Sequence, residues 1–257
     1  MNYKLLVDTA ALAGELMLSN GAETYRVEDT MYHILQTSNS DSIEALALLT
    51  GIVVTVNDKS MEQPLTIMKT VNDRTTNMAD IIRINDISRK YCSGNITLEE
   101  AYERLQKLEG KQYSRALYNV GVVGIAIGFA MMLGGNAQEL LVTAIVAVIL
   151  AAVITAGKIL HWSGIFVNAL GGMEIAMITM LCKGLIFPEM NMDIVIVGAI
   201  MPIVPGVAIT NAIRDTLQGD YLSGCGRMLE AFLTAACVAI GIGLGMIFAN
   251  GLIGGVL

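Results

Sequence analysis

The sequence predicts an α-helical polytopic membrane protein of about five transmembrane helices, carrying a small α+β N-terminal cytoplasmic domain. Three observations lead there. Charge and glycine divide the chain near residue 115: 12 of its 16 Lys and Arg lie at or before Arg115, whereas 21 of its 26 glycines follow it. Beyond that point come runs without charged side chains, long enough for the ~30 Å hydrocarbon core of a bilayer. One of these runs, residues 194–213, contains Pro202, Pro205 and Gly206. Residues 1–112 are therefore read as the polar domain and residues 113–257 as the membrane domain.

In the polar domain, residues 5–19 read as a helix with Leu5, Leu6, Leu12, Leu16 and Met17 apolar. It stops at Asn20-Gly21, a common C-terminal signal. A second helix carries Val27, Met31, Ile34 and Leu35 at i, i+4, i+7 and i+8, one apolar stripe. Residues 43–50, 51–56 and 64–69 are short β-rich runs separated by turn residues, which predicts a small antiparallel sheet. Two further helices are expected at 78–92 and 98–108. Thr97 and Glu100 have capping-box spacing at the start of the latter.

In the membrane domain, the apolar runs are 116–138, 140–157, 162–187 (interrupted by Glu174 and Lys183), 194–213 and the stretch after Glu230. Lys111, Arg115, Lys158, Arg214 and Arg227 lie at one set of connections. The alternate loops, 134–139 and 188–193, contain no Lys or Arg. The positive-inside rule then puts the N-terminus in the cytoplasm and the C-terminus outside, in a multi-pass protein of the bacterial cell membrane. Gly124 with Gly128, Gly241 with Gly245, and Gly251 with Gly255 place small residues four apart. Close backbone approach is one consequence; the general abundance of glycine in membrane helices is the other reading.

Polar groups inside the runs are the candidate site. Prolines remove backbone donors and clash with the preceding turn, so a helix break is expected at Pro202, Pro205 and Gly206. A second is expected at Gly171 and Gly172. Paired broken segments point to a midplane binding site. Glu174 lies within the third run, where a carboxylate is costly and normally faces a pathway or a partner group. It reads as a proton-coupling group or as a structural hydrogen-bonding residue. Asn168 lies on the same run. Asn211, Arg214 and Asp215, at i, i+3 and i+4, share a helical face. Arg214 could pair with Asp215 or hold a carboxylate ligand, and the alternative is that the three residues cap the helix at the interface. The substrate-binding candidates are thus Asn168, Glu174, Asn211, Arg214 and Asp215. Glu23 and Arg26 form either a surface ion pair or an entry vestibule.

Several functions are disfavoured. A net charge of -7 without a basic stripe argues against nucleic acid. Lys4, Asp8 and Glu15 interrupt the N-terminus, unlike a signal peptide. Cys92, Cys182, Cys225 and Cys237 have no metal-ligand spacing and read as packing residues in a reducing compartment. His33 and His161 belong to no HExxH pair, and no GxSxG, P-loop or GxGxxG occurs. No enzyme, metal site or cofactor is expected.

Residues 20–28, NGAETYRVE, and residues 202–230, PIVPGVAITNAIRDTLQGDYLSGCGRMLE, resemble the threonine/serine exporter (ThrE) family. The resemblance is stronger to its two-component YjjP-like branch and extends over essentially the whole chain. It implies export of small hydrophilic metabolites, threonine and serine or a dicarboxylate such as succinate. Longer members carry about five more spans, so it also implies a second, small membrane subunit and a higher oligomer. The leading expectation is a proton-coupled exporter subunit. A membrane-anchored hydrolase and a metabolite sensor, each using the N-terminal domain, are the alternatives.

Overall fold

The computed structural model describes residues 2–108 and 113–253. Lys111, the expected boundary at 112, and Gly255 of the third glycine pair lie outside the described residues. The chain forms two compact units, Met1–Lys111 with Val207–Met228, and Gln112–Gly206 with Leu229–Leu257. The first unit therefore takes in a segment that the sequence assigns to the membrane domain.

The first unit opens with α1 (Tyr3–Ser19) and α2 (Thr24–Gln36), then β1 (Ser42–Leu48), β2 (Gly51–Asn57) and β3 (Leu65–Thr70), and continues with α3 (Met78–Cys92) and α4 (Leu98–Gln106). The three strands pair antiparallel in the order β1-β2-β3. Alternation explains their orientation: Ile52, Val54 and Val56 of the central strand are buried, as a half-covered sheet requires. They join Leu6, Val7, Ala10 and Met17 of α1 and the predicted stripe Val27, Met31, Ile34 and Leu35 of α2 in one apolar core. At the start of α4, the Thr97 side chain accepts from the Glu100 amide at 3.2 Å.

Between α1 and α2 the chain turns at Gly21, with φ of 84°. This left-handed conformation suits glycine, and a side chain there would also meet the Thr75 carbonyl at 2.7 Å. Backbone bonds from Thr75 N to Ser19 O (2.8 Å) and from Asn77 N to Asn20 O (3.0 Å) strap the turn in place. The last part of this unit is α9 (Gly206–Leu217), a turn at Gly219, and the beginning of α10 (Tyr221–Ile253).

The second unit contains α5 (Arg115–Met132), α6 (Ala137–Ile159), α7 (Gly164–Leu185), α8 (Met192–Ile200) and the remainder of α10. Four helices, α5, α6, α7 and α10, are long and apolar enough to cross a membrane. The run at 194–213 is not one of them, because it divides into α8 and α9. Their 9 and 12 residues correspond to only about 14 and 18 Å of helix.

The ends of the bundle differ in chemistry. Glu139 completes a capping box on α6 by accepting from Asn136 N (2.6 Å) and also accepts from Asn191 N (2.9 Å). It thereby ties together the two loops that lack Lys and Arg. Lys158, at the opposite end of α6, lies 3.9 Å from the ring centroid of Tyr118. Val120, Phe129, Met132, Phe232, Ile240 and Ile247 are exposed, as lipid-facing side chains would be.

Only one of the three glycine pairs mediates packing among the described residues. A side chain on Gly241 would meet the Ala169 carbonyl, and one on Gly245 the Met173 carbonyl, so α10 crosses α7 backbone to backbone. Gly124 and Gly128 of α5 face open space, as does Gly251. The expected break at Gly171 and Gly172 is absent: α7 runs unbroken from Gly164 to Leu185. Glycine keeps its N–H and can stay helical when neighbours support it, and here Gly172 instead admits the Val238 carbonyl of α10.

Candidate functional site

The two sequence stretches that carry the family resemblance meet inside the first unit. Asp215, fully buried, accepts from both the backbone N–H (3.1 Å) and the hydroxyl (2.9 Å) of Thr24. Its other oxygen lies 2.9 Å from Nε of Arg227. Arg227, 6% exposed, also donates to the Ala22 carbonyl at 2.7 Å. Asn211 donates to the Gly21 carbonyl at 3.0 Å. Finally, Arg214 donates to the Glu23 carboxylate in an ion pair.

A local deficit explains this arrangement. Glu23 is the N-cap residue of α2, yet its side chain makes no capping bond. The first amide of α2 is therefore served by a carboxylate 191 residues away in sequence. Negative charge at a helix N-terminus is stabilised by the exposed N–H groups and the helix dipole. Asp215 thus caps α2 from α9, and Arg227 balances its charge.

These contacts separate the predicted site residues. Asn211 and Asp215 are engaged by protein partners in the first unit. Arg214 pairs with Glu23 rather than with Asp215, and its side chain remains 59% exposed. Arg26 is exposed on α2, and Glu23 turns to Arg214 instead of to it. Asn168 and Glu174 belong to the second unit. Arg227 reads in the sequence only as a loop charge. Its one signal there is a lone guanidinium after Gly224 and Gly226, at the edge of an apolar run.

Glu28 borders the same network. It accepts from Ala47 N of β1 at 2.9 Å. Burial pushes its carboxyl above the usual glutamate range; the Ala47 bond opposes this, and the charges of Asp220 and Asp215 add to the rise. A carboxyl raised on folding contributes fully below its unfolded value and loses that contribution as pH rises through its folded value. The first unit should therefore lose stability through Glu28 from acid toward neutral pH. Glu28→Gln should flatten that slope, as read from unfolding midpoints across a pH series.

In the second unit, Glu174 is 8% exposed, and neither carboxylate oxygen has a hydrogen-bond partner among the described residues. The next residue, Ile175, belongs to an apolar cluster with Leu150, Ile196 and Ala199. Asn168 is half-buried on the same helix. Between α8 and α9, residues 201–205 leave the helical path, with Pro202 and Pro205 among them. Among the described residues, no three His, Cys, Asp or Glu side chains are grouped to hold a metal ion.

A Mycobacterium tuberculosis (strain ATCC 25618 / H37Rv) protein named "Probable threonine/serine exporter" is 25% identical over 247 residues, covering 94% of this chain and 46% of the relative. The chain thus spans about half the length of that protein. No solved structure matches it. The family model for threonine/serine exporters matches residues 8–249, and the chain belongs to the threonine/serine exporter (ThrE) family.

Proposed function

We propose that this chain is a subunit of a secondary exporter that moves small carboxylate-bearing metabolites across the cell membrane, driven by the proton gradient. The substrates are threonine and serine or a dicarboxylate such as succinate. The observation that carries the reading, beside family membership, is Glu174. Its carboxylate has no hydrogen-bond partner among the described residues, and a carboxylate so placed in an apolar bundle costs roughly 2.5 kcal/mol or more, a cost that a proton-carrying role explains. Arg214 is the candidate for the substrate carboxylate, because its guanidinium is the most accessible member of the first unit's network. Asn168 is a further candidate polar contact. Asn211 and Asp215 serve the reading indirectly by fixing the helix that bears Arg214.

The N-terminal unit is cytoplasmic and the C-terminus external in this proposal, with the broken run at 194–213 as a fifth crossing beside the four long helices. Lys158 at one end of the bundle and loops without Lys or Arg at the other support this orientation. The two-component arrangement, with a small membrane subunit, rests on the resemblance to the YjjP-like branch. Efflux of labelled threonine, serine and succinate from cells expressing the chain with its partner tests the whole. Glu174→Gln should abolish gradient-driven efflux. Arg214→Ala should weaken substrate recognition by about 10- to 100-fold, the worth of a charged hydrogen bond. Unchanged efflux in both variants would overturn the assignments.

A further inference from the structure

α7 presents two stripes. Ala169, Gly172, Met173 and Ala176 meet α10, at the i, i+3, i+4 and i+7 spacing of one helical face. Gly171, Glu174, Ile175 and Ile178 make a second stripe with the same spacing. The neighbours of a side chain placed on Gly171 are Leu150 of α6 at 2.8 Å and Ile203 at 3.6 Å. Ile203 belongs to the segment that separates α8 from α9. Helical side chains lean toward the N-terminus, over the preceding turn. This tendency directs Glu174 toward the turn of Gly171, the glycine whose neighbours include Ile203.

The segment that holds Ile203 also releases backbone acceptors. Pro202 cannot donate to the carbonyl of Gly198, and the N–H that replaces it, from Met201, stands at 3.4 Å. Pro205 cannot donate to the carbonyl of Met201. The amides of Ile203 and Val204 both turn to a different oxygen, that of Ile200, at 2.9 and 3.1 Å. Carbonyls freed in an apolar bundle need a donor or a cation. The Met201 carbonyl is freed, whereas that of Gly198 keeps only the long bond from Met201 N; a proton on Glu174 neutralises the carboxylate and serves neither. A small hard cation serves both, since such ions take oxygen ligands, and unwound backbone in membrane helices supplies them. One carboxylate balances one positive charge.

We infer that Glu174 and the backbone carbonyls of Gly198 and Met201, loosened by Pro202 and Pro205, form a sodium site, for which protons and sodium compete. This rests on the exporter reading for its use in transport, but sodium binding itself does not. The test uses the purified full-length chain in detergent. Binding of radioactive sodium and thermal unfolding are measured in sodium, potassium and choline chloride at equal ionic strength, at alkaline and at acid pH. Sodium alone should raise the unfolding midpoint, and only at alkaline pH. Glu174→Gln should lower sodium affinity on the order of tenfold or more. Pro205→Ala, which restores a backbone donor, should weaken sodium binding while leaving the acid response intact. Equal midpoints in sodium and potassium, or a sodium effect that persists in Glu174→Gln, overturn the site. Proton-driven efflux without sodium binding would overturn it and leave the exporter reading standing; sodium binding without efflux would do the reverse.

Discussion

Replacing Asp215 by alanine should destabilise the first unit more than any other polar change in this chain. The substitution leaves Arg227 buried with a single carbonyl partner and the first amide of α2 without an acceptor. Removing one member of a buried ion pair typically costs about 3–5 kcal/mol, because the remaining charge stays desolvated. A lost helix cap adds about 1 kcal/mol. At about 2–4 °C per kcal/mol for a chain of this size, the unfolding midpoint should fall on the order of 10 °C. Hydrogen exchange should accelerate at residues 20–28, where the turn and the start of α2 lose their anchor.

Two comparisons separate a buried cap from a general loss of charge. Arg214→Ala breaks an ion pair whose guanidinium is 59% exposed, so its cost should stay near 1 kcal/mol or below. The double variant Asp215→Leu with Arg227→Met should be far less destabilised than the sum of its single variants, since no charge is then left unpaired. Strict additivity of the two single effects would show that Asp215 and Arg227 do not act as a pair.

This network also shows where the sequence is legible and where it stops. The apolar stripe at Val27, Met31, Ile34 and Leu35 predicts the buried face of α2, because helical period and burial are local properties of the chain. The β-rich runs at 43–50, 51–56 and 64–69 predict the three strands for the same reason. The role of Asp215 is not local. Its partners lie at Thr24 and Arg227, and spacing within residues 211–215 can only offer Arg214 as the neighbouring cation. The structure gives Arg214 to Glu23 and leaves Asp215 to cap a distant helix. Pro202 and Pro205 are legible as breakers because proline acts through its own backbone. Gly171 and Gly172 are not, because glycine permits a bend without requiring one, and its effect depends on what packs against it.

That dependence sets the second large prediction. Gly172, Gly241 and Gly245 lie where α7 and α10 cross with backbone against backbone. A methyl group on Gly172 would press on the Val238 carbonyl and stand 3.2 Å from Ile242 N; one on Gly241 would press on the Ala169 carbonyl and stand 3.0 Å from Met173 N. The obstructing atoms are main chain, so relief requires moving a helix rather than rotating a side chain. Overpacking of this kind costs about 1–3 kcal/mol for one added methyl-sized group. Gly241→Leu should exceed that and separate the helices, since close approach is what stabilises contact where lipid gives no hydrophobic drive. Gly243, two residues away on α10, is different: a methyl group there would meet no described atom within 4 Å. Gly243→Ala should therefore be neutral or slightly stabilising, by the better helix propensity of alanine. Unfolding midpoints and efflux measured for Gly172→Ala, Gly241→Ala, Gly241→Leu and Gly243→Ala check the pattern. If Gly243→Ala is as damaging as Gly241→Ala, glycine acts here through backbone freedom rather than through the crossing. If only the crossing positions fail, the bundle is held by that contact, and Glu174 is kept in place on the opposite stripe of the same helix.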